Sequence, residues 1–178
     1  MNDRPLSIWT MNDGKAGHFN QSRAIVMALG RSLPVVAENL GCKLRVVGFQ
    51  RPLRWLLNRT DARLPRMWFR VFHVAGEFPA SRPDLIVSAG GNTCGANVWL
   101  SRLFDCANLF CGSTRGLHEN LFAGLVTPHS EHEGNPRYIV SPTPVPVDPV
   151  ALAAEAAAFR KRLMHSSYFA ADISLGEK

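Results

Sequence analysis

Asp84-Leu85-Ile86-Val87-Ser88 runs straight into Ala89-Gly90-Gly91-Asn92-Thr93, and the reading of these ten residues decides the fold. The first five read as a strand built around the apolar Leu85-Ile86-Val87. The paired glycines end it, and a helical stretch continues to about Phe104. Toward the N-terminus the same grammar recurs. Leu6-Ser7-Ile8-Trp9-Thr10 reads as a strand, Asn12-Asp13-Gly14-Lys15-Ala16-Gly17-His18 as a polar turn, and Asn20 to Leu29 as a helix with Ala24, Ile25, Ala28 and Leu29 on one stripe.

Between these units, Lys43 to Phe49 is predicted as a second strand, and Arg51 to about Phe72 as a helix broken near Leu64-Pro65. Beyond them, Ala107–Cys111, Phe122–Thr127 and Tyr138–Val140 are short apolar runs. Strands alternating with helices at this spacing indicate a Rossmann-like α/β fold, a parallel sheet covered on both faces. Four prolines between Ser141 and Pro149 make that stretch an extended connection, with Asp148 or a neighbour capping an alanine-rich helix through Ala151 to Met164. Tyr168 to Leu175 reads as the start of another strand. The expected division is therefore a domain over residues 1–147, then a linker helix and the opening of a further half over 148–178.

Composition agrees with one folded domain. The chain has 178 residues, 46% apolar and 19% charged, which excludes a disordered chain. No apolar run approaches the ~20 residues of a membrane span, and the N-terminus lacks the basic flank and apolar run of a cleaved signal, so a cytoplasmic protein is expected. Cys42, Cys94, Cys106 and Cys111 form no C-x-x-C pair and read as reduced, buried thiols. The net charge of +6 is concentrated: from Arg51 to Arg70 there are six arginines and a single acid, Asp61.

Chemistry is expected where strands hand over to helices. Glycines at residues 14 and 17 let backbone N–H groups approach an oxygen-rich ligand, although the turn serves chain reversal equally well. His18 is the acid–base candidate because its ordinary pKa lies near neutrality; packing or capping is the alternative. The second turn, Ser88 to Thr93, follows another parallel strand and so is expected at the same edge of the sheet. His129-Ser130-Glu131-His132-Glu133 lacks the helical H-E-x-x-H spacing and reads as a solvated loop, so no metal is expected. The Arg51–Phe72 segment interleaves arginines with Trp55, Trp68 and other aromatics. Its helices lie either against the sheet with solvated arginines or on an anionic membrane, with Arg54, Trp55, Arg66 and Trp68 as the contacts. Nucleic acid is not expected as a partner.

Trp9-Thr10-Met11-Asn12-Asp13-Gly14-Lys15-Ala16-Gly17-His18-Phe19-Asn20-Gln21 resembles the W-x-L-x-D-G-K-x-G-H-x-N-Q opening of the mitochondrial-fission ELM-like family, which is grouped with the GT-B glycosyltransferases. Pro83 to Gly90 is similar to that family's P-D-L-I-I-S-A-G segment, and Gly112-Ser113-Thr114-Arg115 is a looser counterpart of its Q-D-P-R. After Ala89-Gly90 the family usually carries basic residues, where this chain has Gly91-Asn92-Thr93. The layout is also similar to the acceptor half of MurG, the lipid-linked peptidoglycan glycosyltransferase. The resemblance implies one half of a GT-B fold and sugar transfer from a nucleotide sugar to a lipid-linked or cell-envelope acceptor, at the inner face of a membrane. In that reading His18 is catalytic, while Asp13, Gly14, Lys15, Gly17, Asn20, Gln21, Ser88, Gly90, Gly91 and Asn92 bind the acceptor. No cofactor is bound tightly, and the nucleotide sugar is held by a C-terminal half. A non-catalytic membrane-surface or protein-binding module is the alternative. A dinucleotide enzyme is disfavoured, since G-x-G-x-x-G and Y-x-x-x-K are both lacking.

Overall fold

A computed structural model describes residues 4–164. The chain divides into two compact units, Met1–Pro146 and Val147–Lys178. The first is an α/β domain of Rossmann type. Its elements are β1 (Leu6–Asn12), α1 (Ala16–Gly30), β2 (Val35–Leu44), α2 (Gln50–Arg59), α3 (Arg66–Phe72), β3 (His73–Ala75), β4 (Leu85–Ala89), α4 (Cys94–Phe104), β5 (Ala107–Cys111), β6 (Gly124–Thr127) and β7 (Tyr138–Val140). In the second unit the described element is helix α5 (Pro149–Met164), opened by Asp148, whose carboxylate accepts the Val150 N–H at 2.9 Å. The strand expected at Tyr168–Leu175 lies outside the described residues.

The strands form one sheet in the order β3-β2-β1-β4-β5-β6-β7, parallel throughout except for β3, which runs antiparallel to β2. From β1 the chain first builds outward through β2, then crosses to β4 on the other side. That reversal opens a crevice beyond the carboxyl ends of β1 and β4, the place where such sheets take ligands.

Alternate strand residues feed two cores. Trp9, Met11, Leu40, Ile86, Phe110 and Leu125 face α2, α3 and α4, while Ile8, Leu85, Val87, Cys111 and Val126 pack with Ile25 and Val26 of α1. The sheet is thus covered on both faces, which explains why its inner strands read as continuous apolar runs. Burial of a large apolar side chain contributes roughly 1.5–3 kcal/mol. Helix α2 fully inserts Leu53 and Leu57, whereas α3 inserts Phe69 alone, so α3 is the more weakly anchored of the two.

Two expectations need correction, and one strand was not foreseen. The second strand spans Val35–Leu44, not Lys43–Phe49; Val47–Phe49 is a single 3₁₀ turn. Backbone pairing overrides side-chain pattern here, because every residue of β1 from Leu6 to Asn12 has a partner between Val35 and Gly41. Strand β3 had no signal, being three residues held by pairing with Cys42, Lys43 and Leu44. Helix α1 starts at Ala16, four residues before the expected Asn20, because the Phe19 N–H already bonds the Lys15 carbonyl at 3.1 Å. This places His18 inside the first turn of the helix.

Candidate functional site

The site starts at the end of β1. The Asn12 side chain accepts the Gly14 N–H at 2.8 Å and Asp13 Oδ1 accepts the Lys15 N–H at 3.1 Å, two local turns that swing the chain into α1. Gly14 has φ +87°, a conformation that other residues adopt only at a cost. The Asp13 carboxylate is left pointing inward with no exposed surface, and His18 comes over it, its Nδ1 3.0 Å from Asp13 Oδ2. A carboxylate only accepts, so Nδ1 is the donor; in a neutral ring Nε2 then carries the lone pair. The His18 side chain is 29% exposed, and Nε2 has no partner among the described residues.

The second turn closes on the first. Asn92 donates its amide to the same Asp13 Oδ2, also at 3.0 Å. Gly90, at φ +83°, lies against the imidazole so closely that a Cβ there would fall 2.2 Å from His18 Nδ1. Below it the Thr93 hydroxyl is bonded to the Ala89 and Gly90 carbonyls, 3.0 Å from each. Burial pushes the Asp13 pKa up, but the bonds from His18, the Lys15 N–H and Asn92, with the His18 charge, outweigh it and hold the carboxyl below its usual range. The result is an ionised, buried carboxylate orienting a partly exposed imidazole.

Two of the expected acceptor contacts have other work. The Asp13 side chain is fully buried, held by His18, Asn92 and the Lys15 N–H. Ser88 is fully buried; its hydroxyl accepts the Asn97 amide at 2.9 Å, within a network that continues through Asn108 to the Leu121 carbonyl. A strand residue whose side chain faces α4 has no route to the crevice. Gly14, Lys15, Gly17 and Asn20 are exposed along the first turn and the start of α1, with Gln21 half-buried behind them. Gly91 and Asn92 line a recess of about 30 Å³ between the second turn, α2 and the loop after β5. Arg115 and Thr114 form its far wall, and no sequence reading assigned them a role.

The basic segment resolves residue by residue. Trp55 is 58% exposed, Trp68 53% and Met67 75%, with Val71 beside them in sequence also exposed. The aromatics facing inward are Phe69 and Phe72, not the tryptophans. Arg59 lies over the Trp55 ring at 5.0 Å. Arg66 lies over Phe78 at 4.1 Å, and Arg54 donates to the Arg115 carbonyl at 3.0 Å, so these two brace the domain as well as charging its surface. A broad concavity of about 650 Å³ runs over α2 past Arg51, Arg54, Trp55, Arg59 and His118.

Among the described residues no group of three or more His, Cys, Asp or Glu side chains is placed to hold a metal, and no helix is long and apolar enough to cross a membrane. The His129–Glu133 loop is a 3₁₀ turn whose His132 stacks on Tyr138 at 3.9 Å. Burial pushes the thiols of Cys42 and Cys111 up to about 12 and about 11, which leaves them poor nucleophiles. Compared with protein-family models, curated proteins and solved structures, the chain matches none.

Proposed function

We propose that this chain is the acceptor-side half of a GT-B glycosyltransferase of the mitochondrial-fission ELM-like kind, working at a membrane surface on a lipid-linked or cell-envelope acceptor. One observation carries the reading: Asp13, His18, Gly90 and Asn92 meet at the switch point of the sheet, and the partly exposed imidazole keeps an Nε2 with no partner among the described residues. That is the equipment for deprotonating a hydroxyl.

In this mechanism an acceptor hydroxyl donates its hydrogen bond to His18 Nε2. As its oxygen bonds to the anomeric carbon of the donor sugar, the bond from that carbon to the nucleotide diphosphate breaks and the hydroxyl proton passes to Nε2. The imidazolium so formed lies on the Asp13 carboxylate, which offsets its charge. Helix N-termini and positive groups would steady the departing diphosphate. A GT-B enzyme holds its nucleotide sugar mainly on the other half, so this half supplies base and acceptor pocket. Trp55, Met67 and Trp68, exposed among arginines, would seat it on an anionic bilayer.

The test is transfer from a panel of nucleotide sugars onto envelope lipid by the native-length protein. His18→Ala should lower turnover by roughly 10²–10⁴-fold; unchanged turnover overturns the role of His18. A second reading, a non-catalytic membrane-surface module, is favoured by the same exposed tryptophans. It becomes the better one if anionic vesicles are bound and no nucleotide sugar is consumed.

A further inference from the structure

Among the described residues, the buried side-chain nitrogens without a hydrogen-bond partner all lie in one nest: Nδ1 and Nε2 of His73 and the indole N–H of Trp99. Helix α3 roofs this nest. Phe69 stacks on His73 at 4.5 Å and meets Trp99 edge-on at 5.9 Å, and Phe72 lies 5.8 Å from the same indole. Each unpaired group loses the hydration it would have in water, so a state that lets water in recovers that loss. At His73 the nearby Phe69 carbonyl offsets only part of the effect of burial.

The roof is lightly held. Helix α3 is seven residues long, has no side-chain cap, and inserts Phe69 as its one fully buried side chain. Just ahead of it Arg63 pairs with Asp105, and Arg66 lies over the Phe78 ring. At its far end Arg45 donates its guanidinium to the Arg70 carbonyl at 2.8 Å, an exposed bond, and its backbone N–H to the Phe72 carbonyl. In water the helix stays down, because lifting it would expose Phe69 and Phe72. At a bilayer that cost falls away, since lipid receives both rings as the nest does. The outward side of α3 already suits an anionic bilayer: Met67, Trp68 and Val71 are exposed beside the exposed Arg66 and Arg70. A second copy of this chain would bring the same arginines and be repelled.

We infer that α3 is a flap that leaves its nest at an anionic bilayer, turning Phe69 and Phe72 into the lipid beside Met67 and Trp68. The vacated nest then faces the headgroup region, where water reaches His73 and Trp99. The inference rests on the membrane seat proposed above and adds a change of shape to it: contact with the bilayer completes the seat. His73 is the residue that keeps the flap easy to lift.

The probe is the full chain with vesicles of phosphatidylglycerol and phosphatidylcholine in equal parts, read by sedimentation and by proton exchange of the Trp99 indole N–H. The wild type should bind, and on vesicles that indole should exchange about tenfold faster or more than in the free protein. His73→Phe keeps a ring beneath Phe69 and removes two unpaired nitrogens. It should cut the acceleration to about twofold or less and weaken vesicle binding by about threefold, with His73→Leu acting in the same direction. Arg45→Gln should speed indole exchange with and without vesicles, although it removes a positive charge. Vesicle binding with an unchanged Trp99 indole overturns the flap and leaves the membrane seat standing. Absence of vesicle binding overturns both. Equal acceleration in the wild type and both His73 variants would mean that the unpaired groups do not govern release, and also overturns the flap. Self-association that Trp68→Ser abolishes, without vesicle binding, would make α3 a protein interface and overturns it as well.

Discussion

Two histidines of this domain meet opposite surroundings. His18 is partly exposed, and its Nδ1 is held by a buried carboxylate that a second turn also grips. His73, at the start of β3, is almost wholly buried, stacked on Phe69 at 4.5 Å and set edge-on to Trp99 at 6.4 Å. Neither of its ring nitrogens has a hydrogen-bond partner among the described residues, and the Trp99 indole N–H is likewise unpartnered. The crevice pairs one imidazole nitrogen with a buried carboxylate and leaves the other without a partner among the described residues. Beneath α3, aromatic packing surrounds an imidazole that burial keeps neutral down to about pH 4. Ordinary polar satisfaction would have suggested the reverse emphasis, since the deeper group loses more by being unpaired.

The sharpest way to break the crevice half of this comparison is Gly90→Ala. The new methyl forces alanine into a positive φ and displaces the His18 ring, so a stability loss of roughly 3–5 kcal/mol is expected from strain and the broken carboxylate bond together. Denaturant unfolding measures it; a loss under 1 kcal/mol would mean that the imidazole is not packed against the turn.

His73 yields the next effect, and its sign is fixed by burial. Burial holds its pKa down to about 4 in the fold, while an unfolded histidine titrates near 6.5. Between those values the unfolded chain binds the extra proton, so stability falls as pH drops from 6.5 to 4, by about 3 kcal/mol in all, and this contribution is level outside that window. His73→Leu should flatten this part of the stability profile. The depressed Asp13 adds its own loss only further down, as pH falls through its folded pKa.

Asp13→Asn sharpens the contrast more finely. It keeps an oxygen for the Lys15 N–H but turns an N–H₂ toward His18 and Asn92, both donors, at an expected cost of about 2 kcal/mol. An NMR tautomer assignment should show His18 losing its Nδ1–H preference. The smallest effect is expected on the outer side of α2 and α3. Trp55→Ser with Trp68→Ser should change stability by no more than about 0.5 kcal/mol each while weakening binding to anionic vesicles, measured by sedimentation.

Much of this was legible in the chain itself. The β4-to-α4 handover was readable because Leu85, Ile86 and Val87 are buried on both faces and glycines stop the run at once. The break between α2 and α3 was readable because Pro65 enforces it. His18 stood out through its place after Gly14 and Gly17. Strand β2 was misplaced because Glu38, Asn39 and Gly41 interrupt its apolar pattern, and only its ladder with β1 defines it. The outward turn of Trp55 and Trp68 was open, since arginines flank inward and outward aromatics alike.

Sequence alone therefore determined β1, α1, β4 and α4 and the positions of both glycine turns, because these follow from apolar runs and from φ preferences acting over a few residues. Tertiary structure decided which turn meets which. Asn92 reaches Asp13 across 79 residues, and Arg115 reaches Gly91 from the loop after β5. Both contacts exist because β1, β4 and β5 lie side by side, and strand order is set by the packing of the whole sheet, which no local pattern encodes.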